Sequence, residues 1–219
     1  MQEEQATGTS APGLAWDGAA PRSLAFGDIY FSDEGLAEPR HVFLDGNDLT
    51  ARFAAARRFA IGEFGFGTGL NFLATLDLWR RTDKPDGARL DFISVEGFPL
   101  ALADFERAHS AWPSLAAYAE QLRALLPTPI PGAHSLAIAT DVALTLVYGE
   151  AGAALASMEA SVDAWFFDGF SPAKNPQMWR AELFDEAEPL AITLAFDPDT
   201  LCRAGAEVGC PDSSGTLTY

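Results

Sequence analysis

The chain has only two cysteines in 219 residues, Cys202 and Cys210, both near the C-terminus. That count excludes a disulfide-stapled scaffold, and the spacing is not that of a zinc ligand set. Three histidines, His41, His109 and His134, lie scattered and suggest no metal cluster. No apolar run approaches the roughly 20 residues that a membrane helix needs. The opening residues, MQEEQATGTSAPG, lack the basic and apolar blocks of a secretory leader, so the expected location is cytoplasmic, with no membrane partner. Positive charge is also scarce: 14 Lys and Arg stand against 31 Asp and Glu, a net charge of −17. This balance disfavours a nucleic-acid partner, because phosphate binding normally uses a basic face. The deficit is uneven, however. Glu182, Asp185, Glu186, Glu188, Asp197, Asp199, Glu207 and Asp212 crowd the C-terminal part against Arg203 alone, while Arg52, Arg57 and Arg58 form a small basic cluster. A local basic groove stays compatible with the sequence.

Nearly half of the residues are apolar, so a globular core is expected in one large domain. The organising stretch is Phe59 to Leu73, FAIGEFGFGTGLNFL. Phe59, Ala60 and Ile61 read as a buried strand that runs into Glu63. Gly65, Gly67 and Gly69 follow as a loop. Leu70, Phe72, Leu73, Leu76 and Trp79 then recur at helical spacing. Strand, glycine turn and helix open a nucleotide-binding α/β sheet, with free N–H donors at the helix start. The dinucleotide pattern G-x-G-x-x-G would put its last glycine at Leu70, which disfavours an NAD enzyme. The actual pattern, acid-x-G-x-G-x-G, resembles the first motif of S-adenosylmethionine-dependent methyltransferases. A glycine-rich turn without a ligand is the alternative.

Taken in order, residues 1–22 read as a flexible arm. Residues 23–58 read as a β appendage, with strands around Phe26–Phe31 and Val42–Leu44 and turns at Ser32–Gly35 and Asp45–Asn47. Residues 59–196 carry the main domain: strands at Phe59–Ile61, Leu90–Val95, Ser135–Ala139, Ala143–Tyr148, Val162–Phe167 and Leu190–Phe196. Helices fall at Leu70–Trp79, Leu100–Trp112, Ser114–Leu126, Ala151–Met158 and from Gln177. Residues 197–219 are an atypical, poorly periodic tail. The alternation predicts an α/β fold, Rossmann-like, with a mostly parallel sheet and possible loss of its C-terminal strands. A sheet missing those strands would keep an open edge.

Ligands bind such sheets beyond the carboxyl ends of the strands. Glu63, Glu96, Glu150 and Asp168 all stand at or near such ends. Glu96 suits paired ribose hydroxyls. Glu150 is placed either to accept from an adenine amino group or to favour a helix N-terminus. Asp168 opens the loop DGFSPAKNP, which two prolines and a glycine hold in one shape. There an aromatic, Phe170, suits stacking on a planar base, and an acid suits orienting an amine and taking its proton. An amine attacks only when neutral, so apolar walls, with Phe166, Phe170 and Trp179 as candidates, have to strip water from it. A helix cap or structural acid is the other reading of Asp168.

FGDIYFS with GLAEPRHVFLDGNDL, EFGFGTGLNFL, FISVEGFPL and above all DAWFFDGFSPAKNPQMW together carry a resemblance to the methyltransferase unit of the MnmC-type tRNA 5-methylaminomethyl-2-thiouridine biosynthesis enzymes. The resemblance covers roughly Phe26 to Phe184. It implies methylation, with S-adenosylmethionine, of the aminomethyl nitrogen on a tRNA wobble uridine. It implies that Glu63, Gly65, Phe66, Gly67, Gly69 and Asn71 line the cofactor, with Glu96 at the ribose, Glu150 at the adenine, and Tyr30 and Phe31 at the mouth. It implies Asp168 and Phe170 at the point of transfer, and Phe170, Ser171, Lys174 and Asn175 facing the substrate. Bifunctional members carry a flavin-dependent oxidase unit that makes the aminomethyl group. This sequence shows no such unit, so a separate upstream oxidase is the implied partner. After about Glu186 the family's pattern is not matched. A methyltransferase acting on a small molecule or protein, and a non-catalytic cofactor-binding domain, remain the alternatives.

Overall fold

A computed structural model describes residues 13–31, 35–156, 161–187 and 194–196. Two short strands, β1 (Leu14–Asp17) and β2 (Ala20–Ser23), pair antiparallel around the two-residue loop Gly18-Ala19. After a helical turn α1 (Ala37–Pro39), a π-turn Arg40–Asp45 and helix α2 (Leu49–Ala55) comes the main unit. Its strands are β3 (Arg58–Phe64), β4 (Arg89–Glu96), β5 (Gly132–Ala139), β6 (Val142–Tyr148), β7 (Ala164–Phe167) and β8 (Leu194–Phe196). Helices α3 (Leu70–Arg81), α4 (Leu102–His109), α5 (Ala116–Leu125), α6 (Ala151–Ala156) and α7 (Ala181–Ala187) connect and flank them. The order across the sheet is β5-β6-β4-β3-β7-β8. Every pair is parallel except β5–β6, a hairpin whose second strand joins the main sheet.

This is the expected α/β architecture. The chain leaves β3 toward β4 on one side and returns later as β7 on the other, so the direction of winding reverses between β3 and β7. The crevice at that reversal is where open α/β sheets take ligands. Both faces are buried, as parallel strands require. Phe59, Ile61, Leu90, Phe92, Ala164 and Phe166 belong to one apolar cluster. Phe64, Val95, Trp165 and Phe167 belong to a second, beneath α6 and α7. Gly62 leaves room for the Trp165 ring: a Cβ there would lie 2.3 Å from it. Trp165 in turn stacks on Phe64 at 5.1 Å.

The N-terminal reading needs correction. Part of the supposed arm, Leu14–Ser23, is the hairpin, and Leu14, Trp16 and Ala20 pack on the core. Gly18, with positive φ at the first position of the two-residue loop, is a hairpin-turn signal that the alanines and proline around it obscure. In the supposed appendage, Ile29 makes only an isolated bridge to Arg22. Val42–Leu44 is helical, with Phe43 and Leu44 buried. A three-residue apolar run suits either state, and here contact with the core decides. The turn at Ser32–Gly35 falls largely outside the described residues, as do the 197–219 tail, both cysteines and the first part of the Leu190–Phe196 strand. Among the described residues no helix is long and apolar enough to cross a membrane.

Phe166 is fully buried and touches Phe43 and Phe92 across the crevice-forming strand. Truncating it to alanine should cost about 3–5 kcal/mol of folding stability, read from the midpoint of denaturant unfolding at unchanged slope.

Candidate active site

The three loop glycines all take positive φ: 88° at Gly65, 52° at Gly67 and 74° at Gly69. Gly65 is the tightest requirement, since a Cβ there would stand 2.1 Å from the carbonyl oxygen of Asp168. The loops after β3 and β7 therefore touch backbone to backbone. Gly65 N–H donates to Val95 at 2.9 Å, and Asp168 N–H donates to Phe64 at 3.1 Å. A cavity of about 1830 Å³ opens at this carboxyl edge. Its walls include Gly65, Phe66, Gly67, Asn71, Glu96, Glu150, Asp168, Phe170, Ser171, Lys174, Asn175, Tyr30 and Phe31. Gly69 stands one residue on, at the start of α3.

Glu63 differs from expectation. It is absent from the cavity wall and only 1% exposed. Its carboxyl accepts from Ser94 Oγ at 2.6 Å and from Asn71 Nδ2 at 3.0 Å. Burial pushes its pKa up to about 8. The Ser94 and Asn71 hydrogen bonds oppose that rise, and the negative charges of Asp168 and Glu96 add to it. The sequence shows an acid at a strand end but not that Glu63 points beneath the loop. Asn71 does reach the wall, yet its Nδ2 is also given to Asp168 Oδ2, at 2.6 Å.

Glu96 ends β4, and its two oxygens accept from Gly67 N–H at 2.8 Å and Phe98 N–H at 2.6 Å. Burial raises its pKa, and these backbone donors resist the rise. Glu150 meets both of its sequence readings. It lines the cavity and also accepts from Ala153 N–H at 2.9 Å, capping α6.

Phe170 packs on Phe26 at 4.9 Å and edge-on to Tyr30 at 5.0 Å, and Phe26 packs edge-on to Phe98. Trp179 Nε1 fixes the Phe170 carbonyl at 2.8 Å. Of the expected apolar walls, Phe170 lines the cavity, whereas Phe166 lies fully buried beneath the sheet. Lys174 Nζ pairs with Asp28 at 3.0 Å and donates to the Gly27 carbonyl at 2.8 Å. Ser171 N–H donates to the second Asp28 oxygen at 3.0 Å. Asp28 sits below the usual carboxylate range: burial pushes it up, but the Ser171 and Lys174 donors outweigh that. Asp28, Phe26 and Phe98 are site residues that the sequence reading missed. Asp28 lies inside FGDIYFS, where the aromatics drew attention and the acid did not. Phe31 packs mainly on Trp112, at 4.7 Å. The Arg52, Arg57 and Arg58 cluster lies away from this site, at the amino end of β3, where Arg58 pairs with Asp91 and Arg52 donates to the Asp163 carbonyl. It forms no groove beside the cavity.

The donor set fits S-adenosylmethionine. Glu96 and Glu150 offer acceptors to hydroxyl and amino groups, Gly67 leaves the wall without a side chain, and the Asn71 Oδ1 is buried without a hydrogen-bond partner. Among the described residues no group of His, Cys, Asp or Glu could hold a metal.

The raised Glu63 pKa has a measurable sign. Unfolded, Glu63 ionises near 4.5; folded, it holds its proton to about 8. Between those values the folded state keeps a proton that the unfolded state releases, so stability falls as pH rises through that window and levels off above it. The contribution is at most about 1.4 kcal/mol per pH unit. Glu63→Gln should flatten this part of the stability profile, measured by urea unfolding from pH 5 to 8.5.

A family model described as S-adenosyl-L-methionine-dependent methyltransferase matches residues 113–192. The tRNA 5-methylaminomethyl-2-thiouridine biosynthesis bifunctional protein MnmC of Pseudomonas aeruginosa is 52% identical over 188 residues, 83% of this chain and 29% of that protein. The protein of the same name from Marinobacter nauticus is 49% identical over 173 residues, 76% of this chain and 27% of that protein. The chain thus spans less than a third of the length of these curated relatives. The crystal structure of MNMC2 from Aquifex aeolicus superposes with a TM-score of 0.63 at 19% identity, covering 96% of this chain and 71% of that one, which supports the fold. The chain belongs to the S-adenosyl-L-methionine-dependent methyltransferases, as a counterpart of the methyltransferase unit of the MnmC-type family.

Proposed function

We propose that this chain transfers a methyl group from S-adenosylmethionine to the aminomethyl nitrogen of a tRNA wobble uridine, turning 5-aminomethyl-2-thiouridine into 5-methylaminomethyl-2-thiouridine. The observation that carries the reading is the meeting of the glycine loop and Asp168 at one cavity, in a chain 52% identical to a protein named for that biosynthesis. Glu96, Glu150, Asn71 and the Gly65–Gly69 loop would hold the cofactor. When bound, it supplies a methyl group on a positively charged sulfur, which leaves with the C–S electron pair.

This chain's residues prepare the nitrogen. Asp168 accepts an N–H of the amine and fixes its direction, and it receives the surplus proton at a carboxylate oxygen. A free alkylamine is mostly protonated near neutral pH. The Phe26, Tyr30, Phe98 and Phe170 cluster supplies an apolar wall that favours the neutral amine. The uridine ring stacks against that cluster, with Ser171, Lys174 and Asn175 beside it. Asp28 occupies Lys174 and Ser171, so it is part of the same mouth.

The aminomethyl group has to come from an upstream reaction, which we assign to a flavin-dependent oxidase activity. The relatives' description as bifunctional is in keeping with a second activity in the same biosynthesis. We place the reaction in the cytoplasm. A methyltransferase for a small molecule or protein is the second reading, favoured by the net charge of −17.

Incubation with methyl-labelled cofactor and tRNA bearing the aminomethyl uridine should label the tRNA. Asp168→Asn should slow transfer roughly 100-fold or more while still binding cofactor in calorimetry. No label in the tRNA from a folded, cofactor-binding sample would overturn the reading. Transfer to another acceptor that competing tRNA leaves unchanged would establish the second one.

A further inference from the structure

Glu63 is the one buried acid of the site that no step above uses. It lies at the closed end of a chain of side chains from three elements. Ser94 Oγ of β4 lies 2.6 Å from one oxygen; its hydroxyl donates to the carboxylate and accepts from the carboxyl O–H when Glu63 carries a proton. Asn71, in the first turn of α3, donates one Nδ2 hydrogen to the other oxygen at 3.0 Å. The second Nδ2 hydrogen goes to Asp168, just beyond β7, at 2.6 Å. A single amide group thus spans two carboxyls, and both of its hydrogens are spent on them.

The two carboxyls stand in unlike surroundings. Glu63 is sealed at 1% exposure, whereas Asp168 lies open to the cavity. The charged groups that face Glu63 are Asp168 and Glu96, both acids. Two ionised carboxyls this close, one of them without water, repel strongly, and the pair lowers its energy by keeping one proton. The proton belongs on the member that water cannot reach.

We propose that Asn71 and Glu63 are positioning residues for the proposed methyl transfer: Asn71 clamps the Asp168 carboxylate to the cavity wall, and Glu63 anchors the clamp while retaining the one proton that the two acids share. The inference rests on Asp168 being the acid that handles the amine. Its chemical sense follows from the nucleophile. One anion beside an amine orients it. Two anions would hold it as the unreactive ammonium. The buried proton lets the site have an orienting acid without the second charge. The direction in which burial moves Glu63 agrees with this arrangement.

Two measurements test it. The first needs neither cofactor nor substrate: carbon-13 NMR follows the Glu63 side-chain carboxyl through a pH titration. Asp168→Asn keeps the shape of the chain but removes the facing charge. The Glu63 midpoint should then drop by about one pH unit. An unmoved midpoint overturns the shared proton. The second is kinetic. Asn71→Ala should lower kcat, measured at saturating cofactor so that any loss of cofactor affinity does not enter, at least about tenfold. Asn71→Asp, which has no hydrogens to give, should do the same or worse, whereas a purely structural role would move stability and leave kcat alone. An Asn71→Ala protein with the parent's kcat overturns the clamp. A parent protein that labels no aminomethyl amine overturns the function reading instead, and the NMR titration still decides the proton.

Discussion

The parallel pairing of β3 with β7 sets everything at the carboxyl edge. It brings Glu63 beside Phe166 and Phe64 beside Phe167 in register, so the loops that follow emerge side by side. The pairing depends on Gly62, whose missing side chain admits the Trp165 ring, and on Gly65, whose missing side chain admits the Asp168 carbonyl. Each contact is a steric condition on one strand imposed by the other. Close packing in the interior leaves no slack to meet them otherwise. The glycine loop and the proline-rich loop are therefore one construction.

The acids show how environment divides labour among identical groups. Glu96 is held by backbone N–H donors of the glycine loop, Glu150 by the start of α6, and Asp28 by a lysine and a backbone N–H. Glu63 has only neutral side chains. A chain with a net charge of −17 places its scarce cations sparingly at this edge. Arg180 faces Glu150 and Lys174 faces Asp28.

Most of the central sheet was legible because parallel strands buried on both faces read as continuous apolar runs, such as Leu90–Val95 and Val162–Phe167. The acids at their ends were legible for the same reason: a run that stops at Glu96 or Asp168 marks the strand's carboxyl end. What the sequence hides is direction and partnership. It does not show that Glu63 turns beneath the loop while Asn71 bridges it to Asp168, because that depends on register between elements far apart in sequence. The helical state of Val42–Leu44 was hidden because three apolar residues carry no period. The hairpin at Leu14–Ser23 was hidden because its strands are only four residues long and the second carries a proline.

The clasp between Asp28 and Lys174 joins residues 146 positions apart. Contacts of such separation form late, since the chain entropy of closing a long loop must be met before the contact returns anything. On the ribosome, the N-terminal aromatic segment has to wait without its partner until almost all of the central sheet has emerged. The entrance to the cavity thus closes only after strands β3 to β7 are available to carry it, with α7 and β8 still to follow.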